Sequence, residues 1–560
     1  MLSSLHQRLR VEAKDQNGNP RTVSVLDNDS IRPVPLADRA WTQTTYFFFW
    51  FSATANVSNL YAASTGLTVG LSMWEAVACT LAGQILAGIL LTLNGRGGAV
   101  YRIPFPVLCR SSFGPWGAYW PTFNRSVMSI VWNGVQQVQG AQSMYVFLHA
   151  IFPGIARIHD TMGPNSALSS GGMICFVVYW LINCAFLFIP IPKMRNLVYI
   201  KVAVYYGGVI CFVAWTVSRA GGTTDFLRKG STIHGSEKSW NIARFIFIGL
   251  AQCGTFISNA ADIQRYTHKP NDVVTGQVFG FPVSNLLVAV FGNVIAATSP
   301  SIFGELIWNP LELLDRMMEG DRYTPANRAG CAMIALAFVY STIFSSIFEN
   351  SISAGNDIAA LAPKYITVKR GFFICAVLSF AICPWYLLAS ASVFITFLAS
   401  YQIFLAAISG IIICDYYLLR RGKLVVSDLY TAKSGSVYRF YRGWNPNAFA
   451  IYVIAVAPSF YGFLHSLGVA APLGVIRFYY FAYPFTLFVT FGGYYLLSRW
   501  FPNSGYHPMQ TGWQEPKDYV DEYDVEVLNQ EVVPSSLNGD EDRGKEGKEN
   551  HGLSHVSSVV

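Results

Sequence analysis

Charged side chains are scarce in this chain. They make up 13% of its 560 residues, whereas about 25% is usual for a soluble domain. This scarcity excludes an ordinary soluble globular enzyme. The sequence also lacks a Ser/His/Asp, metal-binding or phosphate-cradling constellation, and its nine histidines are scattered. We therefore expect no enzymatic activity, no metal and no cofactor.

Cysteine spacing and glycine periodicity exclude two further classes of protein. The ten cysteines show no CxxC spacing, so the sequence indicates neither a zinc site nor a disulfide framework. Glycine and proline follow no short period, which excludes a collagen-like chain.

We expect no cleavable leader in the first forty residues. They are polar and contain no short apolar run ahead of a small-residue cleavage site. We therefore expect the N-terminus to remain in the cytosol, with residues 1–40 forming a cytosolic tail.

Apolar residues, by contrast, are abundant. They make up 52% of the chain, and aromatic residues alone make up 15%. Crossing about 30 Å of hydrocarbon as a helix takes roughly 20 mainly apolar residues. This criterion predicts an all-α membrane protein with twelve transmembrane helices, numbered here as spans one to twelve: 41–65, 72–93, 124–150, 172–191, 197–218, 243–262, 273–298, 327–358, 371–388, 391–418, 446–466 and 474–498.

Lysine and arginine are unevenly distributed among the loops between these spans. With a cytosolic start, the predicted inner side holds 28 of them and the predicted outer side 10, which matches the excess expected on cytoplasmic loops. The basic residues form no single run, so we expect a lipid bilayer as the partner and not nucleic acid. The pattern predicts a multi-pass protein of the plasma membrane with both termini in the cytosol.

The C-terminal segment carries the opposite charge. Residues 501–560 hold 12 of the 32 acidic residues and 4 of the 39 basic ones, which leaves a formal charge of +15 on residues 1–500. A stretch this polar predicts a disordered cytosolic tail over 499–560. Its lysines, Lys517, Lys545 and Lys548, are candidate sites for ubiquitin-dependent turnover; a solubilising tail without a fixed partner is the alternative.

Polar clusters interrupt the first and sixth spans. Residues 52–59 read SATANVSN and residues 252–259 read QCGTFISN, and each cluster follows an apolar run. Two breaks five helices apart are typical of two inverted five-helix repeats, whose broken helices meet near the middle of the membrane. Helix packing explains the small Ser, Thr and Gly residues equally well. It explains Asn56 and Asn259 less well, because an amide needs several partners.

The third span carries an aromatic ring and amides on one face. Trp132, Gln136, Gln139 and Ser143 are spaced at i, i+4, i+7 and i+11. A planar heterocycle is bound by stacking on an aromatic face, worth roughly 1–3 kcal/mol per base, and by hydrogen bonds at its edge. Gln136 offers a donor and an acceptor one turn from the Trp132 indole, which suits an imide or amide edge. The alternative for Trp132 is a packing aromatic.

The eighth span is rich in serine and contains one carboxylate. Ser341 and Ser345 lie one turn apart, so both hydroxyls could face a cation, and Asn350 could reach a substrate. Glu349 is either a buried proton carrier or a residue that faces the cytosol beside a partner. The sequence does not separate these two roles.

Three more ionisable residues lie within or beside the spans. Asp262 and Asp357 are candidate proton carriers, but we expect them instead to form helix-end ion pairs with Arg265 and Lys364. Lys201, one turn into span five, either carries a proton or extends its amine toward the membrane surface.

Six stretches of the sequence carry a further signal. They are WFSA at 50–53 with Asn56, RIPFPV at 102–107 with RSSFG at 110–114, WNGVQ at 132–136, NAAD at 259–262 with RY at 265–266, NSISAGND at 350–357, and DYYLLRRG at 415–422. Together they resemble the nucleobase-cation-symport-1 transporters, and within them the fungal uracil and allantoin permeases. They are spread over most of residues 41–425, in the order expected for that family.

The resemblance implies a leucine-transporter-like core that works by alternating access. Ten helices would occupy residues 41–425, as inverted repeats at about 41–218 and 243–418, with two peripheral helices within 426–498. The implied activity is proton-coupled import of a nucleobase-like heterocycle, such as uracil, allantoin or uric acid. The resemblance does not choose among these heterocycles.

The resemblance also implies roles for residues in the substrate site. Trp132 would stack on the ring, and Gln136, Asn350 and Asn56 would hydrogen-bond it. The break in span six at Cys253, near Asn259, would face the other side of the ring. Two residues on span ten, Leu398 and Tyr401, lie in the region that gates access in relatives.

A cation site is implied beside the substrate. In sodium-coupled relatives the ion lies between first-helix carbonyls, here those of Ser52 and Ala55, and eighth-helix groups, here Ser341, Phe344 and Ser345. Phe344 replaces a hydroxyl, and the loss of an oxygen ligand weakens a site for a small hard cation. This departure favours a proton over sodium as the coupling ion. Glu349, like Lys201 a candidate for coupling, is a second departure, because a small apolar residue is expected there.

Two other functions fit the same sequence. A transporter of the same fold for thiamine, nicotinamide riboside or an amino acid would want a membrane-embedded carboxylate for a cationic cargo, and Glu349 is the candidate. A non-transporting nutrient sensor would not accumulate its ligand against a gradient.

Overall fold

The computed structural model describes residues 29–163, 165–189, 194–222 and 227–502, and residues 11, 13–14, 20–21 and 25–27. The predicted disordered tail lies outside these residues from position 503 onward, and so do its lysines Lys517, Lys545 and Lys548. The described residues are almost entirely helical. Strand pairing among them is limited to two residues on each side, Ala13–Lys14 with Pro20–Arg21.

Most of the described residues lie in α-helices. In chain order they are α1 Gln43–Thr54, α2 Val57–Thr68, α3 Met73–Tyr101, α4 Phe105–Phe113, α5 Tyr119–Ile151, α6 Ser170–Phe186, α7 Arg195–Arg219, α8 Gly235–Ala251, α9 Gly254–Ser258, α10 Ala260–Gln264, α11 Asp272–Thr275, α12 Phe281–Phe303, α13 Pro310–Arg316, α14 Pro325–Ser345, α15 Ile352–Leu361, α16 Val368–Ala381, α17 Ala391–Ser400, α18 Gln402–Cys414, α19 Pro446–Ser466, α20 Leu473–Tyr479 and α21 Ala482–Trp500.

Six helical stretches in the described residues are long and apolar enough to cross a membrane. They correspond to predicted spans two, five, seven, eight, ten and eleven: Met73–Tyr101, Asn196–Arg219, Asp272–Phe303, Pro325–Leu361, Ala391–Leu419 and Pro446–Ser466. Three of them run through a π-helical turn, at Gly276–Gly280, Ser346–Ser351 and Asp415–Leu419. Such turns occur often at functional sites.

The remaining predicted spans depart from a single long apolar helix. Spans one and six are broken, span three is long but polar on one face, and spans four and nine shorten to α6 and α16, of 17 and 14 residues. The predicted span 474–498 is apolar enough to cross a membrane only as two helices taken together. That stretch is a pair, α20 and α21, bent by 66°.

The break in the first span is fixed by its own sequence. α1 ends at Thr54, and Asn56 then adopts an extended conformation and accepts a hydrogen bond from the Asn59 N–H, 3.0 Å away. An asparagine in this position satisfies one of the free N–H groups at a helix start. α2 therefore begins as a new helix at Val57.

The break in the sixth span is held by α3. Gly83 on α3 packs directly on α8, since a Cβ there would lie 2.5 Å from the Ile246 carbonyl oxygen. This close approach lets Gln84 donate to the Gly249 carbonyl at 3.1 Å, and the Cys253 thiol donates to Gln84 at 3.2 Å. The chain then turns into α9 and α10.

Residues 25–27 and 29–41 lie across one end of the bundle. The Arg110 guanidinium on α4 donates to the carbonyls of Leu26 and Leu429, at 2.7 and 2.9 Å. The Tyr430 hydroxyl donates to the Ile31 carbonyl at 2.7 Å, and Trp41 pairs with Thr267. Part of the predicted N-terminal tail is therefore packed against the helices.

Candidate functional site

A cavity lies where the broken first and sixth spans face α5 and the π turn after α14. Its walls include Glu349, the Arg125 guanidinium and aromatic residues of α1 and α9. They also include every residue that the sequence predicted to bind substrate: Trp132, Gln136, Asn350, Asn56, Cys253 and Asn259. Residues from four separate parts of the chain thus meet in one place.

The Trp132 indole is held by span ten. Its ring centroid lies 5.1 Å from that of Phe397, and its N–H donates to the Tyr401 hydroxyl at 3.2 Å. The Tyr401 hydroxyl in turn donates to the Gln252 carbonyl, also at 3.2 Å, at the end of α8. Tyr401 therefore connects the Trp132 edge to the break in the sixth span.

A second group of aromatic rings lines the cavity. Trp50 of α1 packs edge to face against Phe256 of α9 and Phe281 of α12, with centroids 5.9 and 4.7 Å away. Edge-to-face packing of this kind fixes ring orientation. The cavity therefore has rigid apolar walls as well as polar groups.

The polar groups form a chain of hydrogen bonds through Glu349. One carboxylate oxygen, Oε2, accepts from the Gln136 amide at 2.9 Å and from the Asn56 amide at 3.0 Å. The Gln136 oxygen accepts from the Asn350 amide at 2.8 Å. The side chain of Glu349 is 7% exposed, and its charge is met by Lys201, whose ammonium lies 3.4 Å from the other oxygen, Oε1. We call Lys201, Glu349, Gln136 and Asn350 the relay.

The two other predicted substrate-binding residues, Cys253 and Asn259, form hydrogen bonds with other residues of the protein. Cys253 contacts Gln84, as described above. The Asn259 amide, with its oxygen toward α5, accepts from the Arg125 guanidinium at 2.8 Å and from the Ser353 hydroxyl at 3.0 Å. Asn259 therefore joins the sixth span to the third and the eighth at the edge of the cavity.

The predicted cation ligands lie beside the relay. The Lys201 ammonium donates to the Ser52 carbonyl at 2.8 Å, and the Ser341 hydroxyl donates to the Ala55 carbonyl at 2.8 Å. Ser345 is fully buried one turn further along α14. The Lys201 side chain is 3% exposed, so its amine is not extended toward the membrane surface.

Phe344, which replaces a hydroxyl-bearing residue of sodium-coupled relatives, lies among apolar side chains. Phe344 is fully buried and packs on Tyr340 and Phe186, with ring centroids 4.9 and 5.6 Å apart. It brings no oxygen to the carbonyls of the first span. Leu398, the other predicted gate residue, is fully buried in the hydrophobic core.

A buried charge cluster beneath the cavity was not predicted. The Arg125 guanidinium lies 2.5 Å from Asp357, 3.4 Å from Asp262 and 2.9 Å from the Ser353 carbonyl. Asp262 also accepts from the Phe105 N–H at 2.8 Å. The expectation that Arg265 and Lys364 would be the partners of the two aspartates is wrong. The sequence feature that could have predicted this cluster is Arg125, an arginine within the polar stretch of span three.

Comparison with known proteins now identifies the family. Residues 33–485 match a family model described as permease for cytosine/purines, uracil, thiamine, allantoin. The chain belongs to the nucleobase-cation-symport-1 family. The predicted resemblance is therefore confirmed, and the chain is a multi-pass membrane transporter by family.

Several permeases of Saccharomyces cerevisiae are similar to this one along most of their length. The uridine permease is 35% identical over 486 residues, which is 86% of this chain and 76% of its own. The allantoin permease is 32% identical over 521 residues, or 90% and 81% of the two chains. The uracil permease is 32% identical over 524 residues, or 90% and 82%.

Solved structures agree on the fold. The inward-facing conformation of Mhp1 aligns with a TM-score of 0.68 at 20% identity, covering 89% of this chain and 99% of Mhp1. The closed conformation of Mhp1, a nucleobase-cation-symport-1 family transporter with bromovinylhydantoin bound, aligns with a TM-score of 0.65 at 22% identity. The permease therefore has the helical fold of Mhp1.

Proposed function

We propose that this permease imports a nucleobase-like heterocycle, such as uracil, allantoin or uric acid, together with a proton. The observation that carries the proposal is the relay: a chain of amides beside the Trp132 ring that continues through Glu349 to a buried ammonium. The amides beside Trp132 suit a flat ring with an amide edge. The Glu349 carboxylate and the Lys201 ammonium suit coupling to a proton. The names of the relatives, which include uridine, uracil and allantoin permeases, agree with this class of cargo.

The Lys201 ammonium takes the place that sodium would occupy in sodium-coupled relatives. Its ammonium donates to the Ser52 carbonyl, one of the two first-span carbonyls expected to bind sodium in relatives. The other, that of Ala55, accepts from the Ser341 hydroxyl, and Phe344 supplies no oxygen. With these groups engaged by the protein itself, gain and loss of a proton at Lys201 and Glu349 would replace sodium binding.

The proposed architecture has twelve membrane helices in a five-plus-five inverted-repeat core with two peripheral helices. The broken spans one and six support it, because they are five helices apart and meet at the cavity. Residues 25–27 and 29–41 lie at the end of the bundle that the lysine and arginine distribution assigns to the cytosol. We place the permease in the plasma membrane with both termini cytosolic, and turnover through tail lysines remains part of the proposal.

Access would alternate around the cavity, with Leu398 and Tyr401 at its gate.

A cationic cargo such as thiamine is less well supported. Its positive charge would need the Glu349 carboxylate, but that carboxylate already faces the Lys201 ammonium at 3.4 Å. A second cation in the same place would meet like-charge repulsion in a medium of low dielectric. The geometry thus favours a heterocycle without a positive charge.

Uptake into cells without endogenous nucleobase transport tests the proposal. We expect saturable accumulation of at least one labelled heterocycle above its external concentration, because the proton gradient drives it. Uptake should fall when an uncoupler collapses that gradient and should be unchanged when sodium is replaced by choline. A sodium requirement would overturn the proposed coupling. Binding without accumulation would favour a sensor instead.

A further inference from the structure

The charge on Glu349 fixes which group donates and which accepts in each hydrogen bond of the relay. An ionised carboxylate only accepts hydrogen bonds. Glu349, paired with Lys201, therefore requires Gln136 to turn its NH2 group toward Oε2, at 2.9 Å. The Gln136 oxygen must then point the other way, where it accepts from the Asn350 amide at 2.8 Å. Without a charged neighbour, an amide side chain could adopt either orientation.

This fixed orientation determines what a ligand meets between Gln136 and Asn350. A ring edge that enters there finds an acceptor, the Gln136 oxygen, beside a donor, the Asn350 NH2 group. It must bring an N–H for the first and a carbonyl or other acceptor for the second. A ligand that places a bare ring nitrogen against the Gln136 oxygen would face two acceptors, which leaves a buried polar group unpaired.

We propose that Glu349 is a specificity-determining positioning residue, which makes the permease require a ring N–H by holding the amide of Gln136 in one orientation. The inference rests on the proposed function and deepens it. It also gives Glu349 a role that a small apolar residue at the same place could not fill, because such a residue cannot orient an amide.

The groups around Glu349 favour the ionised form of its carboxylate while Lys201 beside it carries a proton. Lys201 is its ion-pair partner from α7, and Tyr205 on the same helix donates to the Asn56 carbonyl at 2.8 Å. Among the described residues that line the cavity, the other charged group is Arg125, which is engaged with two aspartates. No carboxylate other than Glu349 is found among the described residues that line the cavity.

Ligand binding to the purified full-length permease tests the inference without requiring transport. The probes are 1-methyluracil, whose N3 carries a hydrogen, and 1-methyl-2-pyrimidinone, whose N3 does not. The second probe also lacks the C4 carbonyl, so the quantity that tests the inference is the change in preference between the wild type and each variant. The variants are Glu349→Gln and, because that change leaves Lys201 buried without a counter-charge, the neutral pair Lys201→Gln with Glu349→Gln. Glu319→Gln, at an exposed position, is the matched control.

We expect the wild type and Glu319→Gln to prefer 1-methyluracil by roughly tenfold or more, the effect of one unpaired buried group. In Glu349→Gln and in the neutral pair the preference should fall to roughly threefold or less, since the Gln136 amide can then reverse. Equal weakening of both ligands with the preference retained would overturn the inference. Wild-type protein that binds neither these probes nor uracil would instead refute the proposed function, and the inference with it.

Discussion

At the scale of single residues, the side chains of the site are held by neighbours as much as by their own position. The face of Trp132 is available to a ring because its edge is tied to Tyr401 and its flank rests on Phe397. Gln136 is likewise held between Glu349 and Asn350. Each recognition group therefore has little freedom to lose when a ligand binds, which favours affinity.

Replacing Trp132 with alanine tests the proposed stacking. Base stacking on an aromatic ring is worth roughly 1–3 kcal/mol, or roughly 5- to 150-fold in apparent affinity. We expect Trp132→Ala to abolish saturable uptake over a practical concentration range, while Trp132→Phe retains part of it. Surface biotinylation measures the amount of protein in the membrane, and Trp74→Ala, at a position that is 53% exposed, serves as control. Normal uptake by Trp132→Ala would contradict a stacking role.

At the scale of elements, the two helix breaks expose the backbone groups that the site uses. The end of α1 presents the Ser52 and Ala55 carbonyls to Lys201 and Ser341. Exposed carbonyls inside a membrane are tolerated when they line a cavity or meet a donor. Asn56 has two tasks here, because its oxygen caps α2 while its NH2 group contacts Glu349.

The two tasks of Asn56 can be separated by substitution. Asn56→Ala removes the cap, which typically costs about 0.5–2 kcal/mol of stability, and also removes the contact with Glu349. Asn56→Ser keeps an oxygen that can cap α2 but cannot reach Glu349 with an amide. We expect the thermal denaturation midpoint in detergent to be lowered by alanine and largely restored by serine, whereas ligand affinity is reduced in both. A midpoint unchanged by alanine would show that the cap does not stabilise α2.

At the scale of the whole molecule, a buried charge cluster ties the third, sixth and eighth spans together. Arg125 of α5 meets Asp262 of α10 and Asp357 of α15, and the side chains of Arg125 and Asp357 are fully buried. Two carboxylates share one guanidinium. The cluster depends on Arg125 more than on either aspartate, because a buried charge without a partner is costly.

Substitutions in this cluster should therefore differ in severity. Arg125→Gln leaves two buried carboxylates without a counter-charge, and breaking such a pair costs roughly 3–5 kcal/mol. Asp357→Asn leaves Arg125 paired with Asp262 and should be milder. We expect a much smaller monodisperse peak on size-exclusion chromatography for Arg125→Gln than for Asp357→Asn. Equal losses in the two variants would contradict the shared pairing.

The sequence by itself determined the helical membrane class, the positions of the two breaks and the stripe that carries Trp132 and Gln136. These features are local: a span needs a run of apolar residues, a cap needs an asparagine at the helix start, and a stripe needs only the helical repeat. The bend between α20 and α21 is local as well, because Pro484, the third residue of α21, cannot donate a hydrogen bond to the carbonyl four residues earlier and so disfavours a straight helix through this point.

Only the tertiary structure decided which charges and amides meet. The partner of Glu349 is Lys201, on another helix far away in the chain, and the partner of Asp357 is Arg125 and not the nearer Lys364. A buried charge must be paired because it has lost its water, and this requirement predicts that a partner exists. It does not say which one, since that depends on how distant helices pack. The orientation of the Gln136 amide follows from the same packing.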